Sequence, residues 1–296
     1  MRRENGIILK GVGGFYYVET SDNTIYECKA RGIFRKNKIK PCVGDRVTIN
    51  LNDTGLCSIE EILRRKNELI RPPVANIDQL VIVVSVCDPY PSTIIIDKMI
   101  ALAVSKKIEP VIVITKVDLS GAGDLKRIYD MAGIKALEFS SVDSRNIGMI
   151  KEILYGKISA FTGNSGAGKS TLLNCINKNF LLETGDISHK LGRGKHTTRF
   201  VELFNIDDST YVADTPGVST VDIEWYEFIK KDEIQFCFLE FEPYINNCKF
   251  TSCSHICEKG CAVIDAVKNG YISKSRHDSY VYMYNEVKNI KEWEKR

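Results

Sequence analysis

Apolar and polar residues alternate in different ways along the chain, and each pattern predicts a different kind of structure. Up to residue 71, short β-branched and aromatic runs are separated by Gly, Asp and Asn. Such runs predict the strands of a small all-β barrel. The predicted strands cover residues 6–9, 15–18, 24–28, 46–49 and 57–59.

From residue 72 onward, apolar runs alternate with segments of helical periodicity. Strands that are apolar throughout are typical of a parallel sheet covered on both faces, which predicts a doubly wound α/β domain. The predicted strands are residues 80–86, 111–115, 136–139 and 158–162. The predicted helices are residues 94–107, 125–131 and 147–155. After residue 220 the strand pattern ends, and helices are predicted over residues 225–231, 265–268 and 280–294.

The pattern therefore predicts three domains, namely a barrel over residues 1–71, an α/β domain over 72–220 and a mostly helical domain over 221–296. With 296 residues, 44% of them hydrophobic, the chain has enough apolar material for several cores. No run reaches the roughly 18 uninterrupted apolar residues of a membrane span, and the N-terminus lacks the apolar stretch of a signal peptide. We expect a soluble, cytoplasmic protein without a membrane partner, and a monomer as the default.

Positive charge is concentrated near the N-terminus. The net charge is +3, while residues 1–75 carry 14 Lys and Arg against 9 Asp and Glu. Residues 31–38 form a basic stretch with one aromatic residue, Phe34. Such a loop can grip a phosphate backbone while the ring stacks on a base or packs inside. A solvated loop with a core Phe is the alternative interpretation.

A phosphate-binding loop is the strongest motif in the sequence. An apolar strand leads into it and a helical segment follows, as the P-loop pattern requires. Its residues are Gly163, Asn164, Ser165, Gly166, Ala167, Gly168, Lys169, Ser170 and Thr171.

The residue types explain the chemistry of that loop. Glycines let the backbone wrap a β-phosphate, whose oxygens the successive N–H groups and the helix N-terminus then bind. Lys169 is expected to bridge β- and γ-oxygens, and the Ser170 hydroxyl to bind Mg²⁺. Downstream, an apolar strand ends in Asp-Thr-Pro-Gly, where Asp214 is expected to hold Mg²⁺ through water and the Gly217 N–H to sense the γ-phosphate.

A base-recognition motif stands upstream of the phosphate loop. Its residues Thr115, Lys116, Val117 and Asp118 resemble the Asn-Lys-x-Asp motif of GTPases. The Asp118 carboxylate would accept hydrogen bonds from guanine N1–H and the 2-amino group, a donor pair that adenine lacks, so GTP is favoured over ATP. Thr115 stands where Asn is usual and cannot reproduce the amide's donors and acceptor. Ser140 and Ser141 resemble the loop whose backbone meets guanine O6.

The order of these motifs is circularly permuted, because the base motifs precede the phosphate loop. With a basic barrel before them and a Cys/His cluster after them, the chain resembles the RsgA/YjeQ family of GTPases that depend on the small ribosomal subunit. The resemblance implies an OB-fold N-terminal domain, GTP hydrolysis stimulated by that subunit, contact with its rRNA and a role in its late maturation.

The resemblance also assigns a switch loop over residues 191–199. Thr197 or Thr198 is expected to complete the Mg²⁺ shell. Val218 follows the Asp-Thr-Pro-Gly motif where a water-orienting Gln stands in Ras-like proteins, and a valine cannot orient water. His196 is therefore the candidate catalyst; contact with RNA or packing of the switch is the alternative role.

The C-terminal cluster offers five soft donors in residues 248–261, and clustering of this kind favours one metal site in a reducing compartment over disulfides. The resemblance assigns Cys248, Cys253, His255 and Cys261 to one structural Zn²⁺, a closed site that contributes to folding. Cys257 is left over and could compete with His255 or Cys261.

Two other classes of function stay open at this point. One is a zinc-containing RNA-binding module whose nucleotide pocket has lost turnover, suggested by Thr115 and Val218. The other is a P-loop ATPase or kinase, which Asp118 disfavours.

Overall fold

The computed structural model describes residues 2–36, 39–51, 57–70, 73–177, 201–207, 209–214 and 229–288, with only the backbone of Arg35 and Asp214. The chain divides into two compact units. The first consists of Met1–Val81, Ile147–Thr162 and Lys169–Ser219, and the second of Ile82–Asn146, Gly163–Gly168 and Thr220–Arg296. The predicted division into three domains at residues 71 and 220 stays a prediction.

The strands and helices follow the predicted order. The strands are β1 (Arg2–Val12), β2 (Phe15–Thr20), β3 (Ile25–Ala30), β4 (Arg46–Leu51), β5 (Cys57–Ile62), β6 (Glu68–Leu69), β7 (Val74–Ala75), β8 (Gln79–Ser85), β9 (Glu109–Thr115), β10 (Lys135–Glu138), β11 (Ile158–Gly163), β12 (Glu202–Asp207) and β13 (Thr210–Asp214). The helices are α1 (Gly32–Lys36), α2 (Thr93–Ser105), α3 (Gly123–Met131), α4 (Ile147–Leu154), α5 (Lys169–Ile176), α6 (Glu242–Ile245), α7 (Ala262–Lys268) and α8 (Lys274–Val287).

The N-terminal strands close into a five-stranded barrel, as predicted. Pairing runs from β1 through β2, β3, β5 and β4, and β4 pairs again with β1. Only β3 and β5 run parallel among these pairs. Because β1 is long and its register shifts between Ile8 and Lys10, it can pair with β4 along one part and β2 along the other.

The structure of the barrel core distinguishes between the two predicted roles of Phe34, packing and stacking. The ring is buried among the core residues of the strands and does not face solvent, so it packs inside and does not offer a stacking surface. The sequence left both roles open, and packing is the correct one. The core residues around it are Ile8, Val18, Cys28, Val47, Ile49, Cys57 and Ile59.

A buried carboxylate ties the barrel to the rest of the first unit. Glu19, on β2, accepts a hydrogen bond of 2.7 Å from the Tyr211 hydroxyl and bonds of 3.0 and 3.1 Å from the Asn205 amide. The two donors lie on the β12–β13 hairpin, and β13 runs parallel to β11. The end of the phosphate-loop strand therefore lies beside Asp214, in register with Phe161.

In the second unit the strand order is β10, β9 and the C-terminal half of β8, with β10 and β9 parallel. Helix α2 packs on α8 of the C-terminal part, in a shared apolar core that includes Phe238, Phe241 and Tyr280. The helix predicted over residues 225–231 lies largely outside the described residues. Helix α8 begins at Lys274, six residues earlier than predicted from the apolar periodicity. None of the helices that the structure describes is long and apolar enough to cross a lipid bilayer.

Arg276 of α8 is buried in an ion cluster with two carboxylates. Its Nη1 donates to Asp97 Oδ1 on α2 at 2.7 Å, and its Nε and Nη2 donate to the two oxygens of Glu240 at 2.7 and 3.1 Å. The three side chains are at most 4% exposed. Although burial acts against the charged form, Asp97 and Glu240 hold the pKa of Arg276 above its usual value. Charge neutralisation and bidentate geometry make this burial tolerable.

We expect Arg276→Met to lower the free energy of unfolding of the second unit by about 3–5 kcal/mol, because it leaves two buried carboxylates without their counter-charge. Urea unfolding of the zinc-loaded chain, followed by far-UV circular dichroism, measures the loss.

Lys274→Met is the matched control on the same helix. Lys274 pairs with Asp278 at 2.6 Å, but both side chains are more than half exposed. Its loss should cost less than about 1 kcal/mol. Equal losses in the two variants would show that the buried cluster stabilises no more than a surface pair.

Candidate nucleotide site and metal centre

The glycine-rich part of the phosphate loop spans residues 163–168, from the last residue of β11 to the start of α5. Gly163, Gly166 and Gly168 have φ values of +154°, +78° and +85°, which side chains rarely adopt. A Cβ atom on Gly163 would lie 2.3 Å from the Val83 carbonyl oxygen, so only glycine fits there. The strand before the loop and the helix after it, which the motif requires, are both present.

The base motif follows the end of β9, where its side chains alternate in direction. Thr115 and Val117 are buried, whereas Asp118 is exposed. Lys116 has a φ of +58° and its Nζ donates to the Asp88 carbonyl oxygen. The exposed Asp118 carboxylate is thus free of the core and available to an incoming base, as the predicted role requires.

The Thr115 side chain connects the base motif to the phosphate loop. Its Oγ1 donates to the Ala167 carbonyl oxygen at 2.6 Å. Residues 52 positions apart in the sequence are joined by this bond. The two predicted parts of a nucleotide site are therefore brought together in the second unit.

The two serines of the second predicted base loop, Ser140 and Ser141, lie in different environments. Ser140 is fully buried, and its Oγ accepts the Val142 N–H at 3.2 Å, so this side chain shapes the loop. Ser141 is exposed. The loop is tied to β9 through a 2.7 Å hydrogen bond from the Phe139 N–H to the Ile114 carbonyl.

The remaining predicted nucleotide residues are described only in part. Lys169, Ser170 and Thr171 form the first turn of α5 and are partly exposed. Asp214 ends β13. His196, Thr197, Thr198, Gly217 and Val218 lie outside the described residues.

The predicted metal ligands converge at one point in the C-terminal part. One donor atom from each of four residues lies within 4.8 Å of all the others, and these residues are Cys248, Cys253, His255 and Cys261. Cys248 Sγ is 3.9 Å from Cys261 Sγ and 3.5 Å from His255 Nδ1. A tetrahedral Zn²⁺ with Zn–S bonds of about 2.3 Å separates its sulfur ligands by about 3.8 Å, so the spacing fits zinc. Cys257 is exposed and is not part of this group.

The surroundings of His255 select the nitrogen that faces the thiols. Its Nε2 is 2.9 Å from the Gln235 side-chain oxygen, which can only accept, so Nε2 carries the proton. Nδ1, 3.4 Å from Cys261 Sγ, is then free to bind metal. Burial lowers the pKa of His255, which favours the neutral ring that metal binding needs.

The Glu258 carboxylate stabilises the ligand loop, residues 253–261, although it is not itself one of the predicted metal ligands. Glu258 accepts hydrogen bonds from the backbone N–H groups of Ser254, Ile256 and Cys257 and from the Ser254 hydroxyl. Although partial burial opposes it, this set of donors lowers the pKa of Glu258 to about 2.

Three positioning residues of this region were missed by sequence reasoning. Gln235 binds His255 from 20 residues away, the Tyr280 hydroxyl donates to the Ser254 carbonyl at 2.8 Å, and His277 Nε2 donates to the His255 carbonyl at 2.7 Å. All three lie outside residues 248–261, the segment that carries the Cys/His motif.

Two family models and several relatives match the chain. The RsgA N-terminal domain matches residues 5–59 and the RsgA GTPase matches residues 62–224. The chain is 45% identical to the "Small ribosomal subunit biogenesis GTPase RsgA" of Ruminiclostridium cellulolyticum, covering 97% of this chain and 95% of the relative. It is also 45% identical to the protein of that name from Caldanaerobacter subterraneus, covering 97% of both.

Solved structures agree over nearly the whole length. YjeQ from Thermotoga maritima superposes with a TM-score of 0.83 at 36% identity, covering 98% of this chain and 100% of that one. YloQ, described as a circularly permuted GTPase, gives a TM-score of 0.81 at 34% identity, covering 98% and 96%.

Replacing one ligand should abolish zinc binding by the metal centre. We expect Cys248→Ser to reduce bound zinc from one equivalent to near zero and to lose helical circular dichroism, since the metal contributes to folding of this small core. Elemental analysis of the purified chain measures the zinc.

Cys257→Ser is the matched control and should keep one equivalent. Loss of zinc in this variant would place Cys257 in the ligand set and overturn the assignment of four ligands.

Proposed function

The chain belongs to the RsgA family of circularly permuted GTPases, and we propose that it acts on the small ribosomal subunit as an assembly GTPase. The resemblance predicted from the permuted motifs is thereby confirmed, as is the fold of a barrel, a permuted GTPase and a helical part with a Cys/His cluster. In this role the chain binds rRNA, hydrolyses GTP late in subunit maturation and leaves the subunit in the GDP state.

The single observation that carries this proposal is the junction of the two nucleotide motifs. The base motif and the phosphate loop occur in permuted order, and the Thr115–Ala167 hydrogen bond links them in one unit. Asp118 stands exposed beside that junction, where its carboxylate accepts the N1–H and 2-amino protons of guanine. An adenine offers neither proton at those positions, so GTP is the substrate.

The phosphates of GTP are assigned to the phosphate loop and to the first turn of α5. Backbone N–H groups of residues 163–168 bind the β-phosphate, and Lys169 neutralises the β- and γ-oxygens. Ser170, Asp214 and Thr197 or Thr198 would hold Mg²⁺, which supplies positive charge for the transferring phosphoryl group.

Catalysis is assigned to the switch loop. Val218 cannot orient the attacking water, and His196 offers an imidazole that can. We expect hydrolysis to be slow in the chain alone and fast on the subunit, where contact with rRNA would activate catalysis.

The barrel is assigned to rRNA binding, and the metal centre is assigned to structural support. Exposed cations on the barrel offer a basic surface to the rRNA backbone, and they include Arg2, Arg3, Lys29, Lys36 and Lys40. The zinc site has four protein ligands and no open position, so its role is structural. The chain works as a cytoplasmic monomer.

Phosphate release from GTP should rise at least tenfold when purified small ribosomal subunits are added, because the proposed hydrolysis is activated by contact with the rRNA. A phosphate-release assay with and without subunits measures this directly.

Two variants separate the contributions in that assay. Lys169→Ala should lose activity with and without subunits, whereas His196→Ala should bind GTP normally and lose the stimulated rate at least tenfold. A flat response of the native chain to subunits, with intact GTP binding, would indicate an RNA-binding protein that senses nucleotide without switched turnover. Full stimulation in His196→Ala would remove that residue as the catalyst.

Asp118→Asn should change the base preference from guanine to xanthine. The Asn amide donates a proton where the carboxylate accepts one, and xanthine carries a carbonyl in place of the 2-amino group. We expect at least a tenfold loss of GTP turnover and a gain of XTP turnover. Asp124→Asn, on the exposed first turn of α3, is the matched control and should keep the native preference. An unchanged preference in Asp118→Asn would exclude this residue from the base site.

A further inference from the structure

The Thr115 hydroxyl lies within hydrogen-bonding distance of two backbone carbonyl oxygens. The side chain is only 2% exposed at the end of β9. Its Oγ1 lies 2.6 Å from the Ala167 carbonyl oxygen and 3.2 Å from the Val84 carbonyl oxygen. A threonine hydroxyl has one proton, and both neighbours can only accept one. The shorter bond to Ala167 therefore takes the proton.

The same side chain packs against the end of the phosphate loop. A Cβ atom placed on Gly168 would lie 3.5 Å from Thr115 Oγ1 and 3.7 Å from Thr115 Cγ2, which is ordinary van der Waals contact. Ala167 is itself 1% exposed. Thr115 thus fixes the two loop residues that precede Lys169, through one hydrogen bond and close packing.

Guanine presents two kinds of edge to such a site. N1–H and the 2-amino group donate and match the exposed Asp118 carboxylate, whereas N7 and O6 accept and need protein donors. An Asn at position 115 would bring two amide protons, one for Ala167 and one for a base acceptor. Thr115 has given its only proton to the Ala167 carbonyl.

We propose that Thr115 is a positioning residue for the phosphate loop that leaves guanine N7 without a hydrogen-bond donor from this position. The site then tolerates carbon in place of N7 while it still selects guanine over adenine through Asp118. This inference rests on the proposed function, since it requires guanine nucleotide in the site.

Calorimetric titration of the full-length chain with GDP, 7-deaza-GDP and ADP tests the proposal. GDP and 7-deaza-GDP should bind with dissociation constants within twofold of each other, and ADP should bind at least a hundredfold more weakly. Thr115→Asn should create a preference for GDP over 7-deaza-GDP of roughly fivefold, the effect of one ordinary hydrogen bond.

Two further variants test the positioning role. Thr115→Val keeps the side-chain shape but removes the proton, so it should weaken GDP and 7-deaza-GDP equally, by roughly tenfold. Thr115→Ser retains the proton and should bind both nucleotides within threefold of the native chain. These two predictions concern the phosphate loop, because both nucleotides carry the same phosphates.

The outcomes separate this inference from the function on which it rests. A fivefold or larger loss for 7-deaza-GDP in the native chain, with tight GDP binding, overturns the inference alone. Native-like binding by Thr115→Val also overturns it, since the hydroxyl would then position nothing. If GDP binds no better than ADP, both the inference and the proposed guanine site are wrong.

Discussion

The hydrogen bond between Thr115 and Ala167 joins the two loops that we propose to bind the nucleotide. In the sequence the base loop comes first, and Ala167 of the phosphate loop follows Thr115 of the base loop by 52 positions. Loops at the carboxyl ends of parallel strands lie at one edge of a sheet, whatever the order in which the chain forms those strands. A permuted sequence can therefore rebuild the same constellation. The contact that joins the loops is short and buried, so it fixes the relative position of the proposed base and phosphate subsites within the fold itself.

The C-terminal part depends on a different kind of constraint. The Arg276 guanidinium joins α8 to α2 through Asp97 and to the turn before α6 through Glu240. A buried cation of this kind contributes specificity of docking, since few other arrangements would satisfy its donors. The metal centre lies in the same core, where Tyr280 contacts both the ligand loop and the rings of Phe238 and Phe241. The Cys/His cluster and the packing on α2 are thus features of one packed body.

Local signals in the sequence were sufficient for much of this architecture. The phosphate loop is a contiguous motif, and the barrel strands alternate clearly enough to be placed to within a few residues. Long-range polar contacts left no such signal. Arg276 and Asp97 are 179 residues apart, and neither residue type predicts burial. The same contact explains why the start of α8 was missed, because Arg276 and Ser279 occupy its buried face where apolar residues would be expected.

The most direct test of the proposed role on the small ribosomal subunit is co-sedimentation of the full-length chain with purified small subunits, in the presence of GDP or of a GTP analogue. A permuted GTPase that uses hydrolysis to leave its assembly site should sediment with small subunits in the presence of a non-hydrolysable GTP analogue. With GDP it should stay in the supernatant. Equal binding in the two states, or equal binding to large subunits, would contradict a nucleotide-switched role on the small subunit.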